Sequence, residues 1–367
     1  MDFLSLLDHI EDPRSDYRTK HSLSMILFCT FCAVLCGVET WQDIPLFCEA
    51  KRAWLRKYVD FSNGIPSSNT FRRVFTLLDS TILEDFLRDH ASSLIKEGIS
   101  KKQVSIDGKA LRSSGRHNLS NLHSVSAFCH EHGLVLAETA TDSKSNEITA
   151  IPILLEALDI KGSTITIDAA GCQKNIVEKI VNKKGNYVLS LKKNHPKFYK
   201  KVSEHFQINP KNCLKDYLDE SHGRSVRRRY FSCNISNFEE AKDWKGLRSA
   251  IAVETISSKK NANNDATSIC RYYISNLSEK TDTLPDLIRN HWSIENKLHW
   301  VLDVNLKEDD DRKSERKSAK AFAVLKRIAL NVVRTKGDRG NKKKKISLRS
   351  IIKSSGWNNN NLLKLLI

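Results

Sequence analysis

From Lys101 the chain changes its periodicity, and that change limits its possible folds more than any other feature. QVSIDGKAL, HSVSAFCHEHGLVLAETAT, GSTITIDAAG and GNYVLSLKKN are short β-rich runs. NEITAIPILLEALDI stands between the second and third, and QKNIVEKIVNKKG between the third and fourth, both with apolar residues at helical spacing. The order strand, two-stranded hairpin, helix, strand, helix, strand predicts an α/β (mixed α+β) sheet with helices packed on it.

The flanking segments read differently. Residues 1–98 are helical in pattern, including the apolar run LSMILFCTFCAVLCGV from Leu23 to Val38 and the cap signal Pro66-Ser67-Ser68-Asn69 ahead of TFRRVFTLLD. There Phe71, Val74, Phe75 and Leu78 share one helical face, while Arg72 and Arg73 lie off it. That helix suits either a DNA groove or an ordinary helical hairpin. Residues from about 196 to 280 are strand-like and read as a β-rich insertion. TLPDLIRNHWSIENKLHWVLDVNL and SAKAFAVLKRIALNVVRT return to helical spacing, and the end of the chain carries Lys342 to Lys345. The expected division is a helical N-terminal region (1–98), an α/β region with its insertion (99–335) and a basic C-terminal tail (336–367).

Charge narrows the partner. Sixty Lys+Arg against 43 Asp+Glu leave a net charge of +17, which favours nucleic acid over an anionic membrane as the polyanion bound. With hydrophobic residues at 40%, disorder is excluded. The nine cysteines form no regular framework, so a reduced, cytoplasmic setting is expected. No leader pattern opens the sequence, and the 23–38 run is shorter than the ~20 residues that span a bilayer, so it is expected to be a buried helix. Cys29, Cys32 and Cys36 share a helix face without a suitably spaced fourth ligand and read as core residues. Cys129 and His130 alternate along a strand, which disfavours a zinc site with His132.

Two acids stand out. Asp107 follows the apolar strand Val104-Ser105-Ile106 and precedes Gly108, and Asp168 follows Ile165-Thr166-Ile167 and precedes Ala169, Ala170 and Gly171. A carboxylate at the end of a buried strand, with small residues after it, can reach a ligand at the sheet edge. The competing reading, turn capping, is the commoner one for a single Asp. A third acid, Glu295, shares its helix face with His291, Trp292, Leu298 and His299, which predicts that it turns toward the protein. Asp303 and the run Glu308 to Asp311 compete with it, but clustered acids usually form a solvated surface. Three carboxylates would hold two Mg²⁺ ions for attack on a phosphodiester.

These residues stand in a longer pattern: DHIEDPRSDYRTKHSLSMIL, FSNGIPSSNTFRRV, VSIDGKALR, HSVSAF, SNEITAIPILLEALDIKG, TIDAAGCQKNIVEKI, SHGR, WKGL, RYYISN and RNHWSIENKLHWVLDV with its trailing EDD. The sequence resembles the H-repeat-associated insertion-sequence transposases, of the DDE class, over nearly its whole length before about residue 335. The resemblance implies a ribonuclease H-like catalytic domain and DNA transposition by metal-dependent cleavage and 3′-hydroxyl strand transfer. It implies Asp107, Asp168 and Glu295 as catalytic metal ligands, two Mg²⁺ ions with Mn²⁺ able to substitute, and double-stranded DNA as partner, both element ends and target. A homodimer or higher assembly on DNA is expected. The sequence departs from the pattern at Leu191 to His195, where Lys193 and His195 replace a glycine and a glutamine. It also lacks the Tyr/Arg/Lys spacing of broader relatives, having Ile288, His291 and Leu302 there. A transposase derivative that only binds or only nicks DNA is the alternative.

Candidate DNA contacts are Arg72 and Arg73, Lys192 and Lys193, Arg224, Arg227, Arg228 and Arg229, together with Lys109, Arg112, Arg289 and Lys297 near the acids. Lys200 and Lys201, with Tyr230 and Phe231, suit the same track. Trp292 and Trp300 suit either base stacking or core packing.

Overall fold

A computed structural model describes residues 7, 10–14, 19–95, 98–115, 120–141, 147–208, 213–221, 224–259, 267–311, 313, 315–337, 340–341 and 344–367. The chain forms two compact units, one of Met1–Gly98, Gly108–Asn146 and Glu295–Ile367, the other of Ile99–Asp107 and Glu147–Ile294. No described helix is long and apolar enough to cross a membrane.

The strands are β1 (Gln103–Leu111), β2 (Leu122–Cys129), β3 (Leu134–Thr141), β4 (Thr164–Ile167), β5 (Asn186–Leu191), β6 (Cys213–Ser221), β7 (Arg224–Asn234), β8 (Ser249–Lys259) and β9 (Thr267–Ser275). Their hydrogen-bonded order is β3-β2-β1-β4-β5-β9-β8-β7-β6. β1 is one continuous strand whose first half belongs to one unit and whose second half belongs to the other.

In the unit that holds β4, that strand pairs in parallel with β1 and with β5, and β5 then pairs antiparallel with β9. Helices Glu147–Ala157 and Lys174–Asn182 are the crossovers that parallel strands require. This is the mixed α/β class expected of the sequence, in ribonuclease H-like order. The segment after β5 corrects one expectation, because it opens with a helix, Pro196–Ile208, before any strand. β6–β9 continue the same sheet, since β9 pairs with β5. Their inner halves pack on helix Leu284–Ile294 through Tyr230, Ile251, Val253, Tyr273, Leu284 and Ile288.

In the other unit, Leu23–Leu35 is a helix buried nearly all round, as a continuous apolar run must be. Ser22 caps it by accepting from the Met25 amide, and each fully buried large apolar side chain contributes about 1.5–3 kcal/mol. Cys29 and Cys32 lie within this core, where burial and neighbouring thiols raise their pKa, so they are packing residues as expected. The helix Ser68–Leu77 begins where the cap signal placed it, with Ser67 accepting from Thr70, Phe71 and Val74 buried, and Arg72 and Arg73 exposed. Trp41, Phe75 and Phe322 stack edge to face or tilted at 5.1–5.7 Å between ring centres and tie these helices to Arg316–Lys336. That long helix also grips the hairpin, since the Asn331 side chain donates to the Val135 carbonyl and accepts from its amide. The chain ends in two further helices, Leu348–Trp357 and Asn359–Leu366, each with a buried apolar face.

Candidate active site

Two parallel strands present the first two acids. The β1–β4 register pairs Ser105 with Thr166 and Ile106 with Ile167, so Asp107 and Asp168 are the next residues on neighbouring strands. Both are half-buried. β4 ends at Ile167, so Asp168 is strand-terminal as expected. β1 runs on to Leu111, which corrects the expectation for Asp107: it lies inside its strand, at the point where pairing with β4 stops.

Asp168 is oriented by neutral donors, accepting from the backbone amides of Ala170 at 2.9 Å and Gly171 at 3.4 Å. The small residues after it are a packing requirement. A Cβ on Gly171 would meet Ile167 Cγ2 at 2.3 Å and Ile151 Cδ1 at 2.9 Å. The segment that departs from the family pattern braces this turn. Asn194 donates to the Ala169 carbonyl at 2.9 Å, and His195 Nε2 lies 2.7 Å from the Cys172 carbonyl while its ring stands edge-on to Trp244. Lys192 and Lys193 remain exposed beside it.

A polar string backs the pair. Gln103 donates to the Leu287 carbonyl at 2.8 Å, Ser105 and Thr166 share a hydrogen bond of 2.8 Å, and Thr166 Oγ1 lies 3.2 Å from Nδ1 of buried His291. Burial lowers the His291 pKa, against the opposing pull of the Asp107 and Asp168 charges. The neutral ring therefore sits behind two carboxylates without supplying a counter-charge. In the sequence, the alternate polar positions Gln103, Ser105 and Asp107 mark one side of this string, while the place of His291 behind it depends on the fold.

Glu295 is placed by the next stretch of chain. The α-helix Leu284–Ile294 gives way to a π turn over Glu295–His299, and an α-helix resumes at Trp300–Leu306. Glu295 is exposed, contrary to the expectation that its face turns inward, because the π turn breaks the α-helical phase on which that expectation rested. His299 is buried, and a ring nitrogen of it lies within 4.8 Å of a Glu295 carboxylate oxygen. His291 and Leu298 are buried as well, while Trp292 and Trp300 are 47% and 56% exposed, enough to leave ring faces open to solvent. Trp292 donates to the Tyr273 hydroxyl at 3.2 Å and lies 5.9 Å beneath the Arg271 guanidinium.

The run Glu308 to Asp311 is not the solvated surface expected of it. Arg327, fully buried, pairs with Glu138 at 2.5 Å and with Glu308, and Ser124 hydrogen-bonds to both Glu138 and Arg327. Burial pushes the Glu138 carboxyl up to about 7. Burial would raise Glu308 too, but the charges of Arg327 and Lys109 hold it down to about 2. Asp311 pairs with Lys313 at 2.8 Å and Lys326 at 2.7 Å, and burial brings Lys313 down to about 8. Lys109 is held by Asp303, by Glu308 at 3.2 Å and by Asp309 at 2.8 Å, and Arg112 reaches Asp309 at 3.3 Å. Neither the inward turn of the acids nor the burial of Arg327 carries a sequence signal, since Lys109, Glu138 and Ser124 lie far from these residues in the chain.

The remaining basic candidates scatter. Arg227 is bound by Asp216 at 2.6 Å and Arg229 by Glu254 at 2.7 Å, both within the β6–β8 sheet. Arg224 begins β7, Arg228 points to the face opposite Arg227 and Arg229, and exposed Arg289 lies 5.2 Å over the Tyr217 ring. Lys297 is exposed on the π turn. Lys342 and Lys343 lie outside the described residues.

Carboxylates on adjacent strands, oriented by amides and backed by a neutral imidazole, make a donor set suited to a hard divalent cation. The family model described as "Transposase DDE domain" matches residues 73–332, and the one described as "DDE_Tnp_1-associated" matches residues 4–91. YncI of Escherichia coli O157:H7 is 39% identical over 95% of this chain and 93% of its own. The H repeat-associated YhhI of Escherichia coli K12 is 37% identical over 91% of both chains; each of the two is provisionally named a transposase. Among solved structures, a piggyBac transposase synaptic complex with hairpin DNA aligns over 96% of this chain and 74% of its own, at 10% identity and a TM-score of 0.43. The chain belongs to the DDE transposase family.

Proposed function

We propose that the protein is an insertion-sequence transposase that cuts DNA at the element ends and joins the exposed 3′-hydroxyls to target DNA. The observation that carries this reading is the in-register pair Asp107 and Asp168 at the point where β1 and β4 stop pairing. With Glu295 they form the proposed metal-binding triad. Mg²⁺ held there, or Mn²⁺ in its place, supplies charge neutralisation at the attacking oxygen and the scissile phosphodiester. Asp168 is oriented for that role by the Ala170 and Gly171 amides. His291 stays neutral and aligns the strands through Thr166.

DNA recognition is assigned to the N-terminal helical region. A cleft of about 640 Å³ there is lined by Arg14, Lys20, His21 and Arg73 with Asn69 and Thr70, and no acid lines it among the described residues. Arg72, exposed on the same helix, and Lys192 and Lys193 near the acids extend the basic surface. Burial, and then the nearby charges of Arg14 and Lys20, depress the His21 pKa, while Asp12 pairs with Arg14 at 2.6 Å. Exposed Trp292 offers a ring face for an unpaired base. The protein would act as a homodimer or higher assembly, on DNA in the cytoplasm.

The test is D107N on an element-end duplex. Mg²⁺-dependent nicking should fall to background while duplex binding without metal is unchanged. Equal nicking by D107N and wild type would overturn the assignment. Supplying pre-cut ends with free 3′-hydroxyls separates a strand-transferring enzyme, which yields joined products, from a nuclease, which does not.

A further inference from the structure

We infer that Lys109 is a positioning residue: it anchors the strand bearing Asp107 to the chain segment bearing Glu295, and so sets how tightly the acids bind a divalent cation. This rests on the metal-site reading above. Lys109 lies two residues beyond Asp107 on β1, and therefore on the same face of that strand. Its ammonium is bound by Asp303, which stands on the helix Trp300–Leu306 that follows the Glu295 turn, and by Glu308 and Asp309 just beyond that helix. Only 11% of the Lys109 side chain is exposed, so these contacts are shielded from salt and solvent.

The anchor is itself anchored. Glu308 is clamped by Arg327, which is clamped in turn by Glu138 on β3 and by Ser124 on β2. The outgoing half of β1, the hairpin and the helix Arg316–Lys336 thus converge on the segment after Glu295. A lysine so enclosed by three carboxylates has no donor left to offer a phosphate. Its role differs from the DNA contact its position in the sequence suggested. The three carboxylates are turned to Lys109, with Glu308 also on Arg327 and Asp309 also on Arg112, and so are withdrawn as rival metal ligands, which leaves the cation to the acids at the sheet edge.

The experiment compares K109M, D303N and D107N with the wild type in full-length protein. It reads Mn²⁺ binding by calorimetry on the protein bound to an element-end duplex, duplex affinity without metal, and thermal melting. K109M should weaken Mn²⁺ binding about tenfold or more with duplex affinity within about twofold of wild type, and D303N should do the same to a smaller degree. If K109M proves too unstable, D303N, which leaves Glu308 and Asp309 on the lysine, carries the test alone. Wild-type Mn²⁺ affinity in a folded K109M or D303N overturns the inference. So does a loss of duplex affinity in K109M, which would make Lys109 a phosphate contact. D107N distinguishes the two levels: unchanged Mn²⁺ binding there refutes the metal site itself, whatever Lys109 does.

Discussion

Asp168 and Glu308 are both acids at the ends of secondary structure elements, and the molecule uses them in opposite ways. Asp168 is held by two backbone amides, which are neutral donors. Glu308 is held by Arg327 and Lys109 and its charge is spent inside the fold. If Asp168 binds a metal as proposed, what separates it from the structural Glu308 is the net charge of its partners, not burial or clustering. Neutral donors orient a carboxylate without cancelling it, whereas a buried cation does both.

That contrast can be broken from either side. The largest effect belongs to Asp168, where D168N, like D107N, should reduce Mg²⁺-dependent nicking to background and leave the melting temperature nearly unchanged. A melting loss as large as that of a core variant would place Asp168 with Glu308 as a structural acid. Next comes R327M, which strands Glu138 and Glu308 in the interior. Breaking a buried pair by removing one partner costs about 3–5 kcal/mol, so urea denaturation should show a loss of that order. A change within the error of the measurement would show the network to be dispensable.

E138Q is a smaller, pH-dependent test. Burial raises the folded pKa of Glu138 from the ordinary 4.5 to about 7, so the folded chain binds more protons than the unfolded chain in that window. Stability should therefore fall as pH rises from 4.5 to about 7, and E138Q should flatten that part of the profile. Glu308 has the opposite sign, since its folded value is depressed to about 2 and its stabilisation is lost as pH drops below 4.5. An unchanged slope between 4.5 and about 7 in E138Q would assign the titration elsewhere. The smallest effect is expected at Arg227, already paired with Asp216 on an exposed strand. If it touches DNA, R227Q should lower the salt slope of binding by about 1 without altering sequence preference.

Much of the catalytic half was legible because it is written locally. The alternation Val104-Ser105-Ile106-Asp107 and its counterpart ending at Asp168 specify strands, faces and end points by nearest-neighbour rules. The helix starts at Ser22 and Ser67 were equally local. Two things were not. The phase of Glu295 depended on a π turn that no residue in ENKLH demands, and so its exposure was misjudged. The burial of Glu308 and Asp311 depended on Lys109, Arg327 and Lys326, a pairing across distant segments that composition disguises as a surface charge run.

The π turn at Glu295–His299 has an arithmetic consequence. A π turn holds one residue more than the α turn it replaces, and each residue of an α-helix carries about 100° of rotation. Closing this stretch into regular α geometry with its residue count unchanged would swing everything after it by that angle, taking Asp303 away from Lys109, whereas deleting one residue such as Asn296 would restore an α turn and keep the phase. The turn therefore works as a phase adjuster: it lets one helical stretch aim Glu295 and Asp303 by two independent settings, and takes up one residue of length as a loop would.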